Sequence, residues 1–186
     1  EGIYTAFSAE TYIKNCIPKL CAMCGVQEFK KAKTPFDTEY HPELEGTDML
    51  GPADISKYKS LIGSGNWLIT LGRFDIQYAI SALSQYSMVP KQGHMMALQR
   101  VFGYLRSYPD GMIPIDVGDA PIRKQAEITT GQNWIEFYPD AEEDIPDKMP
   151  QPLGKLATLT VYVDADDARD KVTRRSVTGI VLLVNN

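Results

Sequence analysis

The sequence predicts an α+β fold: a helical unit followed by an antiparallel β-hairpin. Between about residues 8 and 107, apolar side chains recur with the period of amphipathic helices, and after Gly111 the pattern changes to β-branched runs. Two of those runs, Leu159-Thr-Val-Tyr-Val-Asp164 and Gly179-Ile-Val-Leu-Leu-Val184, flank a polar connection. That layout predicts a hairpin with carboxylates at one end of its first strand.

The elements follow in order. A first helix is expected over residues 8–24, with Ser8 as N-cap, Gly25 as C-terminal stop, and Tyr12, Ile13, Ile17 and Leu20 on its apolar face. Residues 30–52 are polar and proline-bearing, and predict an extended crossing loop. Ile55, Tyr58, Leu61, Ile62, Leu68 and Ile69 repeat with helical spacing over 55–71. Gly63 and Gly65 lie inside that stretch, where each costs about 1 kcal/mol as a helix residue. Close approach of a neighbouring helix is the expected compensation at both. Asp75 is expected to cap a helix that runs through Tyr86 and breaks before Pro90. Another follows over 91–107, burying Met95, Leu98, Val101, Phe102 and Leu105. Ser107-Tyr-Pro-Asp-Gly111 is a turn signal. Short strands are expected at 112–117 and 127–130, while 134–138 is ambiguous. The acidic, proline-bearing residues 139–152 make the best domain boundary.

A chain of 186 residues holds one large domain or two small ones, with apolar content sufficient for a core. Its net charge of −5 argues against a dedicated nucleic-acid binder, which needs clustered Lys and Arg. The acid is concentrated at Asp140, Glu142, Glu143, Asp144 and Asp147, expected to be a solvated linker, while Lys14, Lys19, Lys30, Lys31 and Lys33 make the first segment locally basic. Cys21-Ala-Met-Cys24 has the spacing of a zinc or redox half-site but lacks a second pair, and the only histidines are His41 and His94. With Cys16 on the same helix face, buried free thiols in a reducing compartment are expected. No apolar run approaches the roughly 18 residues of a membrane span, and no signal peptide is expected. The chain opens at Glu1 and stops at Asn186, and both ends are expected to be cut.

The carboxylates Asp164, Asp166 and Asp167 admit several chemistries. An apolar strand followed by Asp-x-Asp opens haloacid-dehalogenase-like phosphatases, where the first Asp is the nucleophile, but that fold needs a long parallel α/β sheet after the motif. Tyr162-Val-Asp164 echoes the Tyr-x-Asp-Asp turn of polymerase sites, with Ala165 interrupting the pair. An Asp in the first strand of an antiparallel hairpin is also how ribonuclease H folds begin, where it holds metal. The plain alternative is a hairpin turn rich in Asp because turns are wet. Arg73, near Asp75, is expected to be structural, and His94 to be a cap or packing residue.

Longer segments narrow these options. Tyr58-Lys-Ser-Leu-Ile-Gly63-Ser-Gly-Asn-Trp-Leu68, Arg73-Phe-Asp75-Ile-Gln-Tyr78-Ala-Ile-Ser-Ala-Leu-Ser84 and His94-Met-Met-Ala97-Leu-Gln-Arg100-Val-Phe-Gly-Tyr104-Leu105 resemble the copia-type LTR retrotransposon Pol polyprotein. The resemblance continues, in the same order, through Val163-Asp-Ala-Asp166, Ala168, Asp170, Arg174-Arg-Ser176 and Thr178-Gly179. Thr11-Tyr12-Ile13 and Thr34-Pro35 are similar to the family's thumb region. Departures are Phe74 where Pro is usual, Asp167 where an aromatic or His is usual, Arg169 where Gly is usual, and a long, acidic stretch at 128–151.

The resemblance implies reverse-transcriptase thumb and connection helices over 1–111, an acidic connector over 112–152, and the first hairpin of a truncated ribonuclease H-like sheet over 153–186. It implies a parent that performs RNA-directed DNA synthesis and RNA-strand degradation. Asp164 falls on the first carboxylate of the ribonuclease H site, catalytic and metal-binding, with Asp166 as a second candidate metal ligand. Mg²⁺ is the implied cofactor of the complete parent. Arg174, Arg175, Lys30, Lys31 and Lys33 are candidate nucleic-acid contacts. The implied partners are an RNA/DNA hybrid or template-primer duplex and the remainder of the polyprotein, with no membrane. The parent is expected inside the cell, in a cytoplasmic virus-like particle and in the nucleus. Alone, this chain is expected to be inactive. The alternatives are a decayed or co-opted fragment that only binds nucleic acid or protein and, further off, an Asp-x-Asp phosphatase.

Overall fold

The computed structural model describes residues 5–115, 139–140, 148, 150, 159–166 and 168–184. Among them are helices and two small antiparallel two-stranded sheets, the expected α+β class. Contacts divide the chain into two units, residues 1–117 with 166–177, and residues 118–165 with 178–186.

The first unit opens with a strand absent from the sequence reading. Strand β1 (Thr5–Ser8) pairs antiparallel with β2 (Met112–Ile115), Phe7 opposite Ile113 and Ser8 opposite Met112. Ser8 therefore ends a strand, and the cap position of helix α1 (Glu10–Cys24) falls to Ala9. The Ser8 hydroxyl still accepts the Glu10 N–H at 3.2 Å, so the expected cap acts from one residue further out. Helix α1 buries Ile13, Ile17, Leu20 and Cys21 and stops at Gly25, whose φ of 71° is the left-handed stop glycine favours. Its thiols are free; Cys21 is buried, while Cys16 and Cys24 are half-buried.

The expected crossing loop is present as an extended strap, interrupted by one 3-10 turn at Pro42–Leu44. It runs across helix α4 (Gln92–Ser107), placing the Phe29 ring 5.7 Å from that of Phe102. Ala32 N–H reaches Gly103 O at 3.4 Å, and a Cβ at Gly103 would lie 1.8 Å from Lys30 O. Only glycine lets the strap lie this close. Further along, Leu50 N–H bonds Pro90 O at 2.9 Å and Gln92 N–H bonds Asp48 O at 3.0 Å.

Helix α2 (Pro52–Thr70) packs on helix α3 (Gln77–Ser84). A Cβ at Gly65 would meet Ile80 Cδ1 at 2.4 Å, so the expected close approach holds there. It fails at Gly63, which faces open space. The buried Tyr58 hydroxyl donates to Leu83 O at 2.7 Å and ties the same two helices. Asp75 does not cap α3: it sits in a 3-10 turn, Phe74–Ile76, and the helix starts later. Its carboxylate accepts from Arg73 Nε at 3.0 Å and Nη2 at 2.7 Å, while Nη1 donates to Tyr108 O at 2.8 Å. The Arg73 residue is only 2% exposed, and a buried guanidinium without acceptors would cost far more than an uncapped helix end.

His94 acts as both cap and packing residue. Its Nδ1 accepts the Lys91 N–H at 3.1 Å, its Nε2 lies 3.0 Å from Pro42 O, and its ring stacks on Tyr86 at 4.2 Å. Leu98, Val101, Phe102 and Leu105 then form the α4 share of the core; Met95 is only partly buried. The expected strand at 127–130, the ambiguous 134–138 and most of the acidic connector lie outside the described residues.

Strands β3 (Leu159–Asp166) and β4 (Val177–Val184), which lie in the second unit except for Asp166 and Val177, pair with each other as the β-branched runs predict. Neither strand holds a buried residue; only Thr160, Asp166 and Leu183 are even half-buried.

Candidate functional site

Strand geometry sets where the carboxylates point. Successive side chains alternate between faces, so Asp164 and Asp166 share one face of β3, their Cα atoms about 7 Å apart. Asp164 is exposed, and Gly179 on β4 lies beside its backbone carbonyl. Asp166 is engaged: its Oδ2 lies 3.2 Å from Arg169 Nη1. Among the described residues no three His, Cys, Asp or Glu side chains gather as a metal-binding group. One exposed carboxylate and one paired to arginine do not make a Mg²⁺ site, which requires several converging carboxylates or substrate phosphates. The antiparallel β3–β4 pairing also differs from the parallel sheet that the phosphatase reading requires.

The loop between the strands is built by its own polar groups. The Asp170 carboxylate accepts N–H bonds from Thr173 at 2.6 Å and Val172 at 2.9 Å, which hold its pKa below the usual carboxylate value. Asp170 thus shapes the turn. Arg174 N–H returns to Asp170 O at 2.9 Å, and Ala168 N–H bonds Ser176 Oγ at 3.1 Å. Arg174 and Arg175 are exposed, and Arg175 lines a cleft of about 690 Å³ with Tyr40, Glu43, Tyr78 and Tyr86.

Lys30, Lys31 and Lys33 are exposed on the strap. Lys30 and Lys31 line a different groove, of about 660 Å³, together with Phe29, Phe36 and Met96. The structure therefore does not gather the five candidate cations into one pocket. It adds a cation the sequence reading missed: Arg100, whose Nη2 donates to Thr34 Oγ1 at 3.0 Å and whose buried Nε has no hydrogen-bond partner among the described residues. Arg169 was missed too. Its guanidinium lies 4.8 Å from the centre of the Tyr78 ring. Nothing local in a sequence pairs residue 100 with 34, or 169 with 78.

Comparison with known proteins agrees with the family resemblance. Over 103 residues, 54% of the chain, it is 34% identical to the retrovirus-related Pol polyprotein from transposon RE2 of Arabidopsis thaliana. It is 35% identical over 66 residues to the corresponding polyprotein from transposon RE1 of the same plant. The chain is homologous to retrotransposon Pol polyproteins. A transposon Ty5-1 protein of Saccharomyces cerevisiae is 30% identical over 93 residues, half of the chain. The matches span 7% and 4% of the two plant polyproteins and 30% of the yeast protein. No family model and no solved structure matches the chain. Among the described residues, no helix is long and apolar enough to cross a membrane.

Proposed function

We propose that this chain is the part of a retrotransposon Pol polyprotein that joins the polymerase thumb and connection, residues 1–111, through the connector 112–152, to the first hairpin of ribonuclease H, residues 153–186. The observation that carries the reading is the match to Pol polyproteins over 54% of the chain, joined to a carboxylate, Asp164, exposed near the end of a hairpin strand. The helical unit's task is to position a template-primer duplex or RNA/DNA hybrid by backbone contacts, which fix register without reading sequence. Lys30, Lys31, Lys33, Arg174 and Arg175 supply the phosphate contacts. Asp164 supplies one carboxylate to the complete ribonuclease H site, whose Mg²⁺ needs ligands beyond the described residues. The parent's setting is a cytoplasmic particle and the nucleus.

Asp164→Asn in the complete polyprotein tests this. RNA-strand cleavage should be lost while DNA synthesis persists; cleavage at the wild-type rate would remove Asp164 from the site. A second reading is a decayed or co-opted segment that only binds nucleic acid or protein. It predicts no RNA-strand cleavage from the polyprotein even with Asp164 intact.

A further inference from the structure

Residues 166–177 connect the two hairpin strands, yet their contacts group them with the helices. Two contacts reach outward from this loop. The Arg169 guanidinium lies over the Tyr78 ring of α3 at 4.8 Å while also pairing with Asp166 at 3.2 Å. The Lys171 N–H donates to Glu43 Oε1 in the strap at 3.2 Å. Glu43 is itself fixed, its Oε1 lying 2.9 Å from His41 Nδ1. Burial would raise the Glu43 carboxyl, but N–H bonds from its surroundings, Lys171 among them, and the His41 contact outweigh that and hold it below the usual value.

The loop's backbone needs such support. Ala168 and Arg174 adopt φ of 52° and 57°, a left-handed conformation that non-glycine residues hold only where neighbours over-determine it.

We infer that the helical unit holds this loop in shape through a two-point latch, Arg169 on Tyr78 and Lys171 on Glu43. Arg169, Tyr78 and Glu43 are then positioning residues for Arg174 and Arg175, an extension that rests on the nucleic-acid role proposed for those two arginines. The loop is ordered before any ligand arrives, so the ordering entropy is not charged to binding. A cation over an aromatic ring at an exposed site contributes modestly, so the latch is a bias between held and free rather than a lock.

Limited trypsin digestion under native conditions, with mass spectrometry following cuts after Arg174 and Arg175, reads the latch directly. Arg169→Ala should speed those cuts about three- to fivefold. Arg169→Lys, which keeps the charge and loses the planar stack, should recover part of the protection. Glu43→Ala should accelerate cutting similarly and raise hydrogen exchange at the Lys171 amide. Wild-type cutting rates in both Arg169→Ala and Glu43→Ala would overturn the latch. Titration of an RNA/DNA hybrid into the same variants separates the two claims. A freed loop with unchanged hybrid affinity supports the latch and refutes the nucleic-acid reading of Arg174 and Arg175. Weakened affinity alongside faster cutting supports both.

Discussion

In the helical unit Ile13, Tyr58, Leu61, Leu98, Phe102 and Leu105 are all 0% exposed, whereas Val163, Ile180, Leu182 and Val184 of the hairpin strands are each at least 60% exposed. Both regions are rich in apolar residues, so composition does not explain the difference. Each of the four helices packs against at least two of the others, and the strap closes over α4. Strands β3 and β4 pair with each other, and among the described residues their faces lie exposed. Burial of each large apolar side chain contributes about 1.5–3 kcal/mol, so stability should reside in the helices. The strands carry Asp164, the residue to which the functional reading assigns chemistry.

The largest test of that contrast is a pair of truncations. Phe102→Ala, which empties the contact with Phe29, should cost about 3–5 kcal/mol in urea unfolding. Val181→Ala, on an exposed strand position, should change stability by about 0.5 kcal/mol or less. Equal losses would erase the distinction between the regions.

A finer pair lies inside one helix. Gly65→Ala forces a methyl group against Ile80 and should destabilise by about 1–3 kcal/mol, whereas Gly63→Ala meets open space and should stabilise by up to about 1 kcal/mol. Thermal melts of the two variants would show opposite signs.

These glycines also show what the sequence could reveal. Helical period located α1, α2 and α4 because amphipathic spacing is a local property, and Leu98, Val101, Phe102 and Leu105 fell on the buried face for that reason. Spacing could not say which of Gly63 and Gly65 faces a neighbour, since that depends on where α3 lies. Asp75 carried an N-cap signal, but the Arg73 guanidinium, held by the carbonyl of Tyr108 far along the chain, takes the Asp75 carboxylate instead. Strand β1 was invisible because Thr5-Ala-Phe-Ser8 is too short to announce itself without Met112–Ile115 beside it. The strand that carries Asp164 was legible from its β-branched run. The hold of Tyr78 and Glu43 on the 166–177 loop was not, because it joins residues far apart in the chain.

The smallest effect is a pH dependence. Burial alone would raise the Asp75 carboxyl; hydrogen bonds from Arg73 and Tyr104 and the Arg73 charge outweigh it, and its pKa is lowered in the folded state. A depressed carboxylate stabilises the fold above its unfolded pKa and loses that contribution as pH falls through its folded value. The stability gap between wild type and Asp75→Asn should therefore be widest near neutral pH. It should shrink as pH drops below the ordinary carboxylate range, and a gap that grows with acid would reverse the assignment.

Hydrogen exchange followed by mass spectrometry measures the central contrast most directly. Amides of α2 and α4 should exchange only through global unfolding, those of β3 and β4 orders of magnitude faster through local opening, with the Lys171 amide slower than its strand neighbours. Strand amides as slow as those of α4 would show that the hairpin is stabilised as firmly as the helices, and would contradict the account.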